Sequence, residues 1–339
     1  MQKRVLSGIR ATGRLHLGNY LGAVKGMLEL QDSPEYDTMY MVADVHTLTT
    51  PFAVEELRKN RREVIIDYLA AGLDPEKSII FQQADVNEHI ELAFYFSSVT
   101  TIAKMQHLPT FKEKVKQHPD HVTLALLNYP MLMASDILLY RAHLVPVGVD
   151  QEPHLEVARE VARKFNAEYG TDFPEPQRFV TPGGYVPSLT GEGKMSKSVA
   201  GSAIGMSDSL AEIQKKLAAT PTDSGKGEQV PTAGGVASLL QFVELFQGKE
   251  RRMAYEELYT TSGIRYGDLK HELAAAIFSE LRPMQEKRTI LEQMPEKVDT
   301  IIAEGAERAK ALALETVREV KEKMGLAWNQ LFRMKILPS

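Results

Sequence analysis

Short apolar runs alternate with helical patterns in the first part of the chain, and this alternation restricts the fold more than any other feature. Residues 4–9 form an apolar run typical of a buried strand, with a turn at residues 10–13. The following elements are predicted to be strands at residues 39–43, 79–81 and 144–147, and helices over residues 18–30 and 54–71. This order predicts an α/β protein with a Rossmann-like, doubly wound parallel sheet, whose ligands bind at the carboxyl ends of its strands.

The pattern changes past the middle of the chain. From Val236 onward the apolar residues keep helical spacing, and no strand is predicted. We predict a first, Rossmann-like domain of residues 1–193, a loop and linker of residues 194–208, a second, all-helical domain of residues 209–304 and a C-terminal segment of residues 305–339. Residues 305–324 of that segment predict one amphipathic helix that packs back toward the sheet.

The composition excludes several kinds of site. The 339 residues contain no cysteine, which excludes disulfides, thiolate catalysis and cysteine-ligated metals. We expect no metal held by the protein itself and Mg²⁺ carried by a nucleotide. A formal net charge of −5 opposes general nucleic-acid affinity, so we expect no DNA partner and only a local basic face for RNA. No apolar signal core or membrane-length run occurs, which predicts a cytoplasmic protein without a membrane partner.

Two short segments far apart predict a site for a polyphosphate. The first, LHLGN at residues 15–19, follows a predicted strand and begins a helix, where backbone N–H groups and the helix dipole favour an anion. The second, KMSKS at residues 194–198, places the ammonium groups of Lys194 and Lys197 in a small, hydroxyl-rich loop. Such a loop is suited to closing over phosphates.

The two segments, in this order, resemble the HIGH and KMSKS motifs of class I aminoacyl-tRNA synthetases. The resemblance implies a ligase that activates an amino acid with ATP and transfers it to tRNA. It also implies that ATP binds with Mg²⁺, that residues 209–304 bind the tRNA anticodon, and that the protein is a symmetric homodimer.

Residues 122–140 predict one long helix, broken near Pro130. Tyr129, Met133 and Asp136 fall at helical spacing, so a phenol, a thioether and a carboxylate share one face among apolar neighbours. Burial of the carboxylate costs roughly several kcal/mol unless it finds a partner. From the residues alone, Asp136 is either paired with an arginine or a helix cap, or it accepts a hydrogen bond from a ligand.

The segment YPMLMASDILLY at residues 129–140 resembles the amino-acid-binding helix of the tryptophanyl-tRNA synthetase family. The resemblance implies that Asp136 accepts the indole N–H, and that Tyr129 and Gln151 bind the α-amino group. Met133 stands where tyrosyl enzymes carry glutamine, and a thioether suits the flat indole. The predicted tryptophan site comprises Leu6, His46, Tyr129, Met133, Asp136 and Gln151.

Activation of an amino acid needs positioning and cations rather than a protein nucleophile. The resemblance assigns Lys114, Lys194 and Lys197 to the phosphates and His16 to the triphosphate, and we predict these four as catalytic residues. It also assigns residues 148–151 to the ribose and the backbone of Val186 to the adenine. The predicted ATP site comprises Arg10, Ala11, Thr12, Gly18, Asn19, Gly148, Val149, Asp150, Val186, Lys194, Met195, Ser196, Lys197 and Ser198.

Three positions depart from the common family pattern without removing a charged catalytic group. Leu6 stands where many relatives have an aromatic residue near the indole, and Val149 replaces a frequent glutamate. Val199, followed by Ala200 and Gly201, stands where Asp-Pro-Asn or a similar segment is common. His46 is open to two interpretations, because it either orients the substrate or only satisfies a strand end. Five other histidines are predicted to have no catalytic role, namely His89, His107, His118, His121 and His154.

Two alternative functions remain open on the sequence. One is a tyrosyl-tRNA synthetase, which Met133 and the lack of a second phenol-binding tyrosine near the first strand disfavour. The other is a nucleotide- or RNA-binding paralogue that charges no tRNA, which the two lysines of the KMSKS segment and the helical second domain disfavour. Under the first hypothesis, Asp136 and the KMSKS segment are expected to share one crevice.

Overall fold

A computed structural model describes residues 2–180, 185–197 and 199–327. Five parallel strands form one sheet in the order β3-β2-β1-β4-β5, which confirms the predicted fold class. The strands are β1 (Lys3–Arg10), β2 (Tyr36–Ala43), β3 (Ile79–Gln82), β4 (Leu144–Pro146) and β5 (Gln177–Phe179). The sequence did not predict β5, because three residues at a sheet edge are too few to show a period.

Twelve α-helices accompany the sheet in the described part of the chain, apart from four short 3-10 turns. They are α1 (residues 17–31, with a π-helical turn at Tyr20–Val24), α2 (Val54–Ala71), α3 (Glu88–Ser97), α4 (Ile102–His107), α5 (Pro109–Gln117), α6 (Leu124–Leu139), α7 (Glu152–Tyr169), α8 (Leu210–Ala218), α9 (Gly234–Gln247), α10 (Lys249–Thr260), α11 (Tyr266–Glu292) and α12 (Pro295–Lys323). Within the described ranges, every helix is too short or too polar to cross a lipid bilayer.

The sheet separates two apolar cores because successive side chains of a strand point to opposite faces. On β2, Tyr40 and Val42 pack into the core shared with α1, α2 and the helices after residue 209. Met39 and Met41 pack into the other core, which α6, α7 and the second half of α12 complete. Near-continuous apolar strands are typical of parallel sheets that are covered on both faces.

The register of the strands places their carboxyl ends at one edge. β1 and β2 pair from Lys3 opposite Tyr36 to Arg10 opposite Ala43, so both strands end together. After β1 the chain turns tightly, with the backbone N–H of Thr12 donating to the Arg10 carbonyl at 2.8 Å. The turns after β1, β2, β3 and β4 therefore meet at the edge where ligands of such sheets bind.

The prediction that the helix over residues 122–140 breaks near Pro130 is wrong. α6 is one helix, Leu124–Leu139, with Pro130 inside it. A proline in a helix interior costs about 3 kcal/mol because it removes one hydrogen bond and crowds the preceding turn. Most of the residues of α6 from Pro130 onward are buried against neighbouring helices, and this packing outweighs the local cost.

The predicted boundary between residues 304 and 305 lies inside α12, which begins at Pro295. α12 packs against β3 so closely that a Cβ added at Gly305 would overlap the carbonyl oxygen of Ile80. Glycine is therefore required there by space, although it weakens the helix.

Arg288 on α11 joins the helical part of the chain to the start of the LHLGN segment. Its buried guanidinium pairs with Asp67 and Glu63 of α2. The second oxygen of Asp67 accepts the backbone N–H of Leu15 at 2.6 Å. The carboxylate is thus satisfied from two sides, which is the condition for burying it at acceptable cost.

The Gly305→Ala substitution is expected to lower the free energy of unfolding by about 1–3 kcal/mol, because the added methyl group overpacks the contact with β3. Gly267→Ala in α11 is the matched control, since a Cβ there meets nothing within 4 Å, and it is expected to stabilise by up to about 1 kcal/mol. Urea denaturation measures both. Equal effects of the two substitutions would contradict the close packing of α12 on the sheet.

Candidate active site

A cavity of about 340 Å³ opens at the carboxyl edge of the sheet. All six residues of the predicted tryptophan site line it, namely Leu6, His46, Tyr129, Met133, Asp136 and Gln151. Arg10 and Lys114 line the same cavity. The remaining walls are Ser7, Gly8, Met41, Ala43, Thr49, Thr110, Leu126, Ile137, Val145, Val147 and His154. A mostly apolar cavity with a few polar groups is typical of small-molecule sites.

Asp136 is buried in this cavity and has three hydrogen-bond partners. Its Oδ1 accepts from Gln83 Nε2 at 2.6 Å and pairs with His89 Nδ1 at 2.7 Å. Its Oδ2 pairs with His46 Nε2 at 2.8 Å. These partners are two histidines and an amide. The sequence had left open that Asp136 pairs with an arginine or a helix cap instead. A carboxylate has about four acceptor positions, so one position on Oδ2 remains for another donor.

The surroundings keep Asp136 ionised. Burial alone raises the pKa of this carboxyl, but the hydrogen bonds and charges of His46 and His89 outweigh burial and lower the pKa to about 2. At neutral pH the group is therefore a charged acceptor. A donor that reaches it forms a charge-assisted hydrogen bond, which is stronger than a bond between neutral groups.

Two histidines that were predicted to have no catalytic role contact residues of the predicted site. The fully buried ring of His89 links Asp136 to the hydroxyl of Tyr140, which lies 2.8 Å from His89 Nε2. His154 Nε2 lies 2.5 Å from the hydroxyl of Tyr129, and burial lowers the pKa of His154 to about 4. No local spacing in the sequence predicts these contacts of His89 and His154, because α3, α6 and α7 come together only in the folded chain.

The LHLGN segment caps the start of α1. His16 Nδ1 accepts the backbone N–H of Gly18 at 3.0 Å, and the side-chain oxygen of Asn19 accepts that of His16 at 3.2 Å. Burial, followed by the charges of Lys197 and Lys194, lowers the pKa of His16 to about 4. The ring is therefore neutral at pH 7 and Nδ1 keeps the lone pair that it uses as an acceptor.

The KMSKS segment lies directly against LHLGN. A Cβ added at Gly18 would lie 2.8 Å from the His16 ring and 3.3 Å from Met195, so only glycine fits there. The ammonium of Lys197 donates to the carbonyl of Arg14. Two segments that are far apart in the sequence thus form one surface.

Lys197 of the KMSKS segment and Asp136 line two different cavities, and the expectation that Asp136 and the whole segment share one crevice stays a prediction. Lys197 lines a second cavity of about 410 Å³, together with His16 and Arg14. The other walls of this cavity are Leu15, Val199, Ala200, Gly201, Ala203, Gly205, Ser207 and Lys216. The hydrogen bond from Lys197 to the Arg14 carbonyl holds the ammonium there. Arg10 lines the first cavity, whereas Arg14, Leu15 and His16 line the second.

Lys194 meets residues 148–151 at the carboxyl end of β4. A Cβ added at Gly148 would lie 3.9 Å from Lys194 Nζ and would overlap the Asp150 carboxylate. Gln151 Nε2 donates to Asp150 Oδ2 at 2.8 Å, and Gln151 reaches the first cavity. These contacts bring one ammonium of the KMSKS segment close to the predicted ribose site.

The remaining predicted ATP residues lie around these segments. The Val186 carbonyl accepts the backbone N–H of Met195 at 2.9 Å, and the Ser196 backbone N–H donates to Ser202 Oγ at 3.1 Å. Ala11 is buried, whereas Thr12 and Val149 are exposed. Lys114 Nζ donates to Gln117 Oε1 at 2.7 Å. Ser198 lies outside the described residues.

Comparison with known proteins identifies the family of the chain. The family model of class I tRNA synthetases (W and Y) matches residues 2–282. The tryptophan–tRNA ligase of Porphyromonas gingivalis is 41% identical, over 95% of this chain and 98% of that protein. The tryptophan–tRNA ligase of Caldanaerobacter subterraneus subsp. tengcongensis is 40% identical, over 96% of this chain and 98% of that protein. The chain belongs to the tryptophan–tRNA ligase family.

Solved structures of the tryptophan–tRNA ligase family show the same architecture. Tryptophanyl-tRNA synthetase of Campylobacter jejuni, complexed with ADP and tryptophan, has a TM-score of 0.82 and 31% identity, covering 95% of this chain and 100% of that one. Tyrosyl-tRNA synthetase of Archaeoglobus fulgidus has a TM-score of 0.66 at 19% identity, which shows a shared fold alone. The predicted family and the predicted enzyme class, an aminoacyl-tRNA ligase, are confirmed.

The Asp136→Asn substitution is expected to lower the free energy of unfolding by roughly 1–3 kcal/mol. An amide accepts hydrogen bonds at only one of its two terminal atoms, so at least one buried donor among Gln83, His89 and His46 loses its acceptor. Asp120→Asn, at an exposed residue, is the control and is expected to change little. Urea denaturation measures the free energy of unfolding of both variants. An Asp136→Asn protein as stable as the parent would refute the buried network.

Proposed function

We propose that this chain activates L-tryptophan with ATP to tryptophanyl-adenylate, with release of pyrophosphate, and then transfers the tryptophanyl group to the 3′ adenosine of tRNA(Trp). The observation that carries the proposal is the ionised Asp136, which keeps one acceptor position within a mostly apolar cavity. Indole presents a single N–H donor, which matches the one acceptor position of Asp136. Its large apolar ring matches the apolar walls of the cavity.

The walls of the first cavity favour indole over phenol. Leu6 and Met133 offer apolar surface and a polarizable thioether to a flat ring. The smaller phenol of tyrosine leaves part of these walls without contact, which loses dispersion energy. A site built around one polar contact also discriminates against analogues of tryptophan that lack the indole N–H, by a factor on the order of 10⁴.

The chemistry that we propose needs cations around a phosphorus atom. One carboxylate oxygen of tryptophan bonds to the α-phosphorus of ATP, and the bond from that phosphorus to pyrophosphate breaks. Lys194, Lys197 and Lys114 are assigned to the phosphates, with His16 and Asn19 holding the triphosphate at the start of α1. Mg²⁺ enters with ATP and neutralises part of its charge. Fixed cations near developing negative charge lower the barrier.

Each part of the chain has a proposed role in activation or in transfer to tRNA. We assign residues 1–193 to catalysis, residues 194–208 to the KMSKS loop and linker, and residues 209–304 to the tRNA anticodon. The C-terminal residues from 305 onward support the catalytic part through the packing of α12 on β3. Because tRNA is charged in the cytoplasm, the reaction is assigned to that compartment.

Exchange of labelled pyrophosphate into ATP is expected with tryptophan and not with tyrosine. Lys197→Ala is expected to slow the exchange at saturating tryptophan by roughly 100-fold, because a cation at the phosphates is lost. Lys226→Ala, at an exposed lysine outside both cavities, is the control and is expected to keep the parent rate. Exchange with tyrosine alone would favour the tyrosyl alternative, and exchange with neither amino acid would favour a non-charging paralogue.

We also propose that two copies of the chain associate through one apolar surface. Four large apolar side chains are exposed on the neighbouring helices α3, α4 and α6, namely Ile90, Phe94, Ile102 and Leu124. Phe94 is 76% and Leu124 is 83% exposed. Single exposed apolar residues are common, but a group on adjoining helices is typical of an interface. A second copy is the occupant that the family resemblance implies.

Phe94→Glu is expected to convert the dimer to single chains, because it places a charge in the centre of an apolar contact. Analytical ultracentrifugation measures the mass in solution. Met253→Glu on α10 is the control, since Met253 is exposed outside this surface, and it is expected to remain dimeric. A parent protein that sediments as a single chain would contradict the dimer, and a dimeric Phe94→Glu variant would contradict this surface.

A further inference from the structure

Arg10 has an unexpected position for a residue of a phosphate-binding loop. It ends β1, and its side chain lines the first cavity with Asp136 rather than the second cavity with Lys197. Its Nη2 donates to Thr50 Oγ1 at 3.0 Å, whereas its Nε is buried and has no partner among the described residues. A guanidinium carries five N–H donors, so most of the donors of Arg10 remain available to a ligand.

The charge of Arg10 is uncompensated within the cavity. No carboxylate of the described residues forms an ion pair with Arg10, although many surface arginines are paired. Asp136 is the only carboxylate among the lining residues, and His46 and His89 surround it. Arg10 is half-buried, so its charge is partly removed from water and this site is suited to an anionic group on its ligand.

The second cation of the cavity is less available. Lys114 Nζ already donates to Gln117 Oε1 at 2.7 Å on the exposed side of α5. A tryptophan whose indole meets Asp136 has its ammonium and its carboxylate left for the other polar groups. Tyr129 and Gln151 offer oxygen atoms to the ammonium. The guanidinium of Arg10 is then the group with free donors for the carboxylate.

We infer that Arg10 binds the carboxylate of the amino-acid substrate and selects against amines that share the indole but lack that carboxylate. The inference rests on the proposed function and refines it, because it moves Arg10 from the phosphates to the amino acid. A planar guanidinium matches a carboxylate with two parallel hydrogen bonds, which also orients the oxygen that attacks phosphorus. Its charge reduces the repulsion between carboxylate and α-phosphate as they approach.

Calorimetric titration of the whole protein with tryptophan and with tryptamine, both without ATP, tests this inference. Tryptamine keeps the indole and the ammonium and has no carboxylate. Arg10→Gln is expected to weaken tryptophan binding about tenfold or more and tryptamine binding less than about threefold. Arg10→Lys is expected to keep part of the preference, because it retains a charge without the planar pair of donors. Arg58→Gln, at an exposed arginine of α2, is the control and leaves both affinities unchanged.

Three outcomes would contradict the inference or the proposed function. Equal losses for tryptophan and tryptamine would show that Arg10 only supports the fold of the cavity and would overturn the inference. An unchanged tryptophan affinity with a raised KM for ATP in pyrophosphate exchange would return Arg10 to the phosphates and would also overturn it. A parent protein that binds neither indole compound would overturn the proposed function itself, which separates that failure from a failure of the inference alone.

Discussion

A buried, charged carboxylate determines how the first cavity is assembled. Asp136 on α6 is satisfied by side chains from three other segments, with His46 following β2, Gln83 following β3 and His89 on α3. Loss of any one partner leaves a buried charge or donor unsatisfied, so these elements must converge on the same point. The first cavity lies beside this carboxylate, which forms part of its wall.

A second buried charge cluster holds the beginning of the LHLGN segment. Arg288 of α11 neutralises Asp67, and Asp67 in turn holds the backbone of Leu15 at the beginning of LHLGN. The same loop receives the ammonium of Lys197 on the Arg14 carbonyl. The helices after residue 209 therefore support the position of the LHLGN segment through a path of ion pairs and hydrogen bonds. Arg10 lines the first cavity, whereas Arg14, Leu15 and His16 line the second.

Elements with a strong period were predictable, and those that depend on packing were not. The helix predicted over residues 54–71 has the bounds of α2, because its apolar spacing is clear and Gly72 ends it in a left-handed conformation. Pro130 predicted a break that packing prevents, and the single helix α12 runs through a predicted domain boundary. The strand β5 has only three residues, and its place in the sheet is set by pairing with β4.

Local patterns in the chain indicated part of the chemistry of the candidate site. LHLGN and KMSKS indicated a polyphosphate ligand, because residue type and local period are written in the chain. The aromatic ligand was implied by the resemblance of residues 129–140 to the amino-acid-binding helix of the family. Which groups come into contact depends on the folded chain. The contacts of His89 and His154, the Arg288 network and the presence of Arg10 and Asp136 in one cavity all involve residues far apart in sequence. Such contacts depend on the burial of charge and apolar surface by the whole fold, which no local pattern records.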